Sequence, residues 1–212
     1  GIIELPAGEV GDRFVDWLAA HDPAKVDTVI EIAITPNRPD ALGVRGVARD
    51  LAARGLGQLK PQDVPRVSGG FACPVTVTIE DDTRHQCPVF YGRVIQGVKN
   101  GPSPAWLQDR LKAIGLRPIS ALVDVTNFFT YDSNRPLHVF DADKVAGGAL
   151  RVHRAKGGEA FSALDDKDYT LAEGMTVISD ADGVDSLGGI MGGVHSGCTD
   201  ETVTVFFEGV YF

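Results

Sequence analysis

Cysteine is scarce: Cys73, Cys87 and Cys198 lie far apart, with no CxxC pair. An odd, scattered set excludes a disulfide framework and a cysteine zinc site, and it fits a reducing cytoplasm. Long apolar runs are lacking as well. No stretch approaches the roughly 18 uninterrupted apolar residues of a membrane span, so no membrane contact is expected. The opening GIIELPAGEVGD has neither a basic start nor a long apolar core; it is not a signal peptide and reads as the middle of a longer protein. Positive charge is in deficit, with 20 Lys and Arg against 29 Asp and Glu for a net −9. That disfavours nucleic-acid binding through a general basic surface, and an RNA substrate would find most of its phosphate contacts elsewhere. Missing motifs narrow the chemistry further. No GK[ST] accompanies the glycine-rich stretch, and there is no GxSxG or Cys–His signature, which excludes a P-loop nucleotidase and a covalent hydrolase. His85, His153 and His195 have no partners at metal-ligand spacing. The stretch 180–185, DADGVD, has its glycine off the sixth position and no glutamate at the twelfth, so it is not a calcium loop. No metal or cofactor is expected within this chain.

What is present reads as α+β, a mostly antiparallel sheet with a few helices preceded by a small N-terminal α/β segment. Phe14, Trp17 and Leu18 share one face of a short helix over 9–21, which Asp22-Pro23 ends. Residues 29–34, VIEIAI, read as a strand. Pro36-Asn37-Arg38-Pro39 is a turn, and Asp40 is placed to cap a helix to about Arg54 with Leu42, Val47 and Leu51 as its apolar stripe. Arg45, Arg49 and Arg54 read as its solvated face. Residues 60–74 are rich in Pro, Gly and polar side chains and form the best linker. Strands follow over 75–80 and 89–98. A helix then starts at Ser103-Pro104 and stops at Gly115, with Trp106, Leu107, Leu111 and Ile114 as its buried stripe. Short strands dominate the rest, around 149–154, 160–164, 169–171, 175–179, 184–187 and 202–208, with Asp182-Gly183 as a hairpin turn.

Between these lies the stretch the chain is organised around, residues 117–141, RPISALVDVTNFFTYDSNRPLHVFD. Leu122, Val125 and Phe129 recur at helical spacing, Ser120 is a good N-cap, and Asn134 with Pro136 ends the helix. A strand carrying His138 comes next. Thr126, Asn127 and His138 are polar groups expected on a buried helix–strand pair, where each must find a partner or a ligand. The residues alone leave alternatives: Thr126 and Asn127 as helix residues bonding back to the backbone, His138 as a satisfied structural histidine, and Arg117 as a surface residue. Residues 188–197 hold five glycines in ten; they make either a tight pair of turns or a loop whose backbone approaches a ligand closely. Glu208 ends an apolar strand, where a carboxylate is either exposed or in need of a partner.

DVTN followed by PLHVFD, the later GGIMGGVHSG, and the earlier TPNRPD with RGVARD occur in the same order as in the phenylalanyl-tRNA synthetase beta subunits of bacteria, and the chain resembles an internal part of that family. The resemblance implies a tail over 1–25 after an oligonucleotide-binding-fold module, part of a small helical domain over 26–60, a linker over 61–74, and over 75–212 an editing domain that lacks its C-terminal end. It implies tRNA(Phe) and an alpha subunit as partners in an α2β2 enzyme of the cytoplasm, with ATP and magnesium serving a synthetic site on the alpha subunit. It aligns His138, Asn127 and Thr126 with catalytic pocket residues, and Glu208, Gly192, Gly193 and Arg117 with substrate-binding ones. The implied activity is hydrolysis of mischarged Tyr-tRNA(Phe) by a positioned water. A noncatalytic tRNA- or protein-binding module of the same fold is the alternative, and a free-standing deacylase a third.

Overall fold

Ser120 and Asn134 bracket the central helix. In the computed structural model, which describes residues 4–212, helix α4 runs Ala121–Ser133 with extended Ser120 at its N-cap and left-handed Asn134, φ 51°, at its C-cap. The Ser120 hydroxyl makes no capping bond. Buried Asp124 serves the helix entrance instead, its carboxylate accepting from the Ile119 N–H at 2.9 Å and from the Ser103 hydroxyl. That removes Ser103 from its expected post: helix α3, Ala105–Ala113, is entered through Pro104 with no side-chain cap. The other helices are α1, Phe14–His21, and α2, Val44–Ala53.

Ten strands form three sheets among the described residues. A five-stranded sheet has the order β1 (Thr76–Ile79), β4 (Ala149–Arg154), β7 (Thr176–Ser179), β8 (Val184–Leu187), β9 (Met191–Gly192). A three-stranded sheet has β10 (Thr204–Tyr211) between β2 (Val89–Gln96) and β3 (His138–Asp141), and β5 (Ala160–Ser162) with β6 (Asp168–Thr170) makes a separate hairpin. Every pairing is antiparallel except β1 with β4. The β7–β8 hairpin turns at the expected Asp182-Gly183, and Asp180 secures it by accepting from the N–H groups of Asp182 at 2.8 Å and Gly183 at 3.1 Å.

Alternation along β10 places the layers. Phe206 and Val210 join Phe140, Val94, Leu150, Val152 and Ile178 in one core between the two larger sheets. Val205, facing the other way, packs with Val139 and with Leu122 of α4. The three-stranded sheet is therefore the middle layer, helix on one side and sheet on the other. Gly92 of β2 allows this closeness, since a Cβ there would lie 2.2 Å from Phe206 Cζ.

Several expectations are corrected. Residues 29–34 form no strand: Val29, Ile30 and Ile32 are exposed, and no neighbouring strand offers them a ladder. Helix α2 begins at Val44, not Asp40. A single turn of 3₁₀ helix, Pro39–Ala41, precedes it and Gly43 is its N-cap. Asp40 is engaged with Arg38, at 2.9 Å, and with Arg49, so Arg49 belongs to an ion-pair cluster rather than to a merely solvated face. Leu42 and Leu51 are exposed, as are Trp106, Ile114 and Phe129, so the stripes of α2, α3 and α4 are narrower than their periodicity implies; Leu107 and Leu111 are the buried members of α3. Residues 58–75 form neither helix nor strand. The front of the chain still touches the later part: the Asn134 side-chain amide donates to the Pro39 carbonyl at 2.5 Å, and a Cβ on Gly43 would strike the Asn134 backbone nitrogen. Among the described residues no helix is long and apolar enough to cross a membrane.

Candidate functional site

Glu208 is not at a strand end. It sits within β10, directly opposite Gly92 on one side and His138 on the other. Directly opposed residues of antiparallel strands project to the same face, so Glu208 and His138 both point between the two larger sheets. The third party comes from the facing sheet. A Cβ on Gly192 of β9 would lie 2.2 Å from His138 Cε1, so only a bare backbone fits against the imidazole. Phe140 backs the ring edge-on at 4.5 Å. The cleft beside them is about 160 Å³ and is lined by Leu137, His138, Ser186, Met191, Gly192 and Glu208.

Its electrostatics are unusual for a carboxyl and an imidazole side by side. Glu208 is 7% exposed, and its Oε2 has no hydrogen-bond partner; burial pushes the acid up to about 8. His138 Nε2 likewise has no partner, and burial lowers the imidazole to about 4. Neither is the other's ion-pair partner, and at neutral pH both are uncharged. Each unsatisfied group costs about 1–3 kcal/mol, and a ligand bringing a hydroxyl or an ester oxygen into the cleft would recover part of that. A larger groove of about 960 Å³ lies across the other face of β2 and β10, against residues 67–71. Tyr91, Arg93 and Phe207 face that groove, but the Glu208 side chain projects away from it, so the smaller cleft is the chemically equipped one.

The acid and the imidazole act oppositely on stability. Glu208 is raised from its ordinary 4.5 to about 8, so between those values the folded chain keeps a proton that the unfolded chain has released, and stability falls as pH rises. His138 is lowered from 6.5 to about 4, so the unfolded chain gains a proton the folded chain refuses, and stability falls as pH drops through that window. From pH 6.5 to 8 Glu208 acts alone. One proton over one pH unit is about 1.4 kcal/mol, so Glu208→Gln should gain about 2 kcal/mol on the wild type across that interval. Thermal melts from pH 5 to 9 check this, and a gap that stays constant with pH would contradict it.

Of the residues singled out in the sequence, Glu208, His138 and Gly192 are brought together. Gly193 faces the other way: its N–H donates to the Asp185 carbonyl at 2.6 Å, and a Cβ would meet that oxygen and Phe161. Thr126 is buried with its hydroxyl donating to the Val123 carbonyl at 2.7 Å, the back-bonded arrangement. Asn127 is half-buried on α4, and Arg117 is exposed in the turn between α3 and α4; neither lines the cleft. Sequence reasoning missed Ser186, whose hydroxyl donates to the Met191 carbonyl at 3.1 Å, and Phe212, which covers Gly188 and Gly189. It also missed the meeting of His195 with Asp180 and Asp185. Cross-strand neighbours are set by register, which no local pattern displays.

The fold and cleft define an α+β domain with two stacked, mainly antiparallel sheets and a neutral acid–imidazole pair between them. Residues 86–212 match the B3/4 domain family, and the chain belongs to that family. Along its whole length it is similar to phenylalanine–tRNA ligase beta subunits. The one from Ruegeria pomeroyi is 69% identical over 212 residues, covering 100% of this chain and 26% of that protein. The one from Cereibacter sphaeroides is 59% identical over 214 residues, with the same coverage of 100% and 26%. The chain thus spans about a quarter of the length of the curated relatives it matches. Its fold is similar to the crystal structure of an N-terminal fragment of the phenylalanyl-tRNA synthetase beta subunit from Pyrococcus horikoshii, with a TM-score of 0.50, 18% identity, and coverage of 94% of this chain and 63% of that one.

Proposed function

We propose that this domain hydrolyses mischarged Tyr-tRNA(Phe) as part of a phenylalanine–tRNA ligase beta subunit in the cytoplasm. The synthetic site, with its ATP and magnesium, belongs to the alpha subunit of an α2β2 enzyme, and the hydrolysis uses neither. One observation carries the reading: a buried acid without a partner, Glu208, stands across the sheet from a half-buried imidazole, His138, whose Nε2 is shut off from solvent and has no partner. A synthetic site shaped for phenylalanine is apolar and rejects an added hydroxyl by roughly 10²-fold. A second site that must hydrogen-bond the phenol inverts that preference, because phenylalanine leaves the buried acid unsatisfied, an effect that reaches about 10⁴-fold. Glu208 reads the phenol. His138 and the Gly192 backbone hold the ester and its attacking water. Thr126 and Arg117 support the helix and its approach. An imidazole held at about 4 is a weak base, so its part is orientation of the water rather than obligatory proton abstraction.

His138→Ala in the full ligase should slow release of tyrosine from Tyr-tRNA(Phe) and leave phenylalanine charging nearly unchanged. Equal losses in both reactions would make the residue structural. A noncatalytic binding module of this fold would shift the mobility of Tyr-tRNA(Phe) without releasing tyrosine in either form of the protein.

A further inference from the structure

Asp180 follows β7, Asp185 lies in β8, and His195 lies in the loop after β9. One ligand atom from each falls within 4.8 Å of the others. Asp185 is fully buried, and neither of its carboxylate oxygens has a hydrogen-bond partner. The hydroxyl of Ser196, beside His195 in the chain, is also fully buried without a partner. Buried polar atoms in native folds are paired or hold an ion, so an acid orphaned at both oxygens points to a missing cation.

Asp180 is held as a metal-binding carboxylate is. One of its oxygens accepts from the Asp182 and Gly183 N–H groups, and the other accepts from the Ala146 N–H at 2.8 Å. Such donors behind a ligand fix its direction. His195 supplies the adjustable member. Its Nε2 is 3.9 Å from Asp180 Oδ2, and its side chain is 55% exposed, so the ring is free to swing the further distance on the order of 1 Å that metal bonds near 2 Å need.

We infer that Asp180, Asp185 and His195 form a binding site for a divalent transition-metal ion, with Zn²⁺ the best fit. Two carboxylate oxygens and one imidazole nitrogen make a three-ligand tetrahedral set, Ser196 Oγ or a water completing it. The imidazole selects against Mg²⁺ and Ca²⁺, and the lack of a thiolate selects against copper(I). The site is a brace. It joins the β7–β8 hairpin to the loop that leaves Gly192, and the Ser196 carbonyl in that loop accepts from the Asp141 N–H at the end of β3 at 2.9 Å. A metal there would tie both sheets together one turn of chain beyond the cleft.

The test uses the full-length protein stripped by chelator, then dialysed against Zn²⁺ alone, in the wild type, His195→Ala and Asp185→Asn. Zinc content by mass spectrometry should show an additional equivalent per chain in the wild type that both variants lack. Zn²⁺ should also slow hydrogen exchange over residues 193–197 in the wild type and not in His195→Ala. Because His195 is exposed, that variant decides the matter even where Asp185→Asn folds poorly. Zinc retained by His195→Ala, no extra uptake by the wild type, or exchange over 193–197 indifferent to Zn²⁺ overturns the site and leaves Asp185 as a buried acid that binds no metal. No tRNA enters the measurement, so its failure leaves the hydrolytic reading untouched.

Discussion

Above pH 8, Glu208→Ala should lower deacylation of Tyr-tRNA(Phe) by roughly 10- to 100-fold while leaving Phe-tRNA(Phe) deacylation unchanged or slightly raised. A hydrogen bond to a charged acceptor contributes about 1.5–3 kcal/mol and one to a neutral acceptor about 0.5–1.5 kcal/mol. The acid is raised to about 8, so at pH 7 it meets the phenol protonated and the loss is only about 2- to 10-fold; above pH 8, with the acid ionised, it reaches the full range. Removing the acid also removes the desolvated group that phenylalanine would strand, which is why the second substrate gains if it changes at all. Glu208→Gln should fall between, because an amide oxygen still accepts. Release of amino acid from tRNA charged in advance, with the full ligase at pH 7 and pH 8.5, measures all of this. Equal loss for both substrates would mean that Glu208 supports β10 or the water and does not read the phenol.

Gly192→Ala should be as damaging as removing the histidine. The new methyl would stand 2.2 Å from His138 Cε1 and 2.7 Å from Nε2. Phe140 packs edge-on behind the ring, so its way out is into the cleft, and β9 is fixed by its pairing with β8 opposite Ser186. Either the imidazole leaves its position or the sheets part, an overpacking cost of about 1–3 kcal/mol. A misplacement of this size at a site working by orientation costs about 10²-fold in rate. The contact also makes a sharper forecast. In a His138→Ala background the added methyl enters vacated space, so the stability penalty of Gly192→Ala should nearly vanish there. Denaturant unfolding of the two single variants and the double variant gives the cycle. A penalty of the same size in both backgrounds would show that the methyl strains something other than the ring.

What was legible in the chain was local. Asn134 and Pro136 mark the end of α4 because such stops act within a turn, Ser120 falls at its start although its hydroxyl makes no capping bond, and Asp182-Gly183 marks a hairpin because its backbone angles are a property of those residues. The antiparallel α+β layout followed from strand after short strand with turns between. Contacts across the fold were not legible. VIEIAI has the composition of a strand but lacks a partner, and composition does not report partners. Trp106, Ile114 and Phe129 recur at helical spacing yet stay exposed, since periodicity gives a face and not what covers it. Glu208 reads as a strand end because the alternation falters there; it falters because the middle of β10 points an acid into the core. His138 and Glu208 are 70 positions apart, and the residues alone left both open between structure and site. The alignment of His138 with a family residue favoured the second, and the register supplies the neighbourhood.

The bond from Asn134 to the Pro39 carbonyl closes a loop of 95 residues. Bringing distant ends together costs more chain entropy than closing the Asp180–Gly183 turn, and contacts of such long range form late. The segment that emerges earlier from a ribosome therefore docks later than the corner it depends on. Until α4 and its left-handed end exist, residues 39–53 have no seat, and Ala41, buried in the folded chain, meets solvent beside Leu42, Val44 and Leu51, which are exposed in either state. Slow synthesis through α4 would lengthen that interval, and the front of this chain is where a holdase would find its longest-lived foothold.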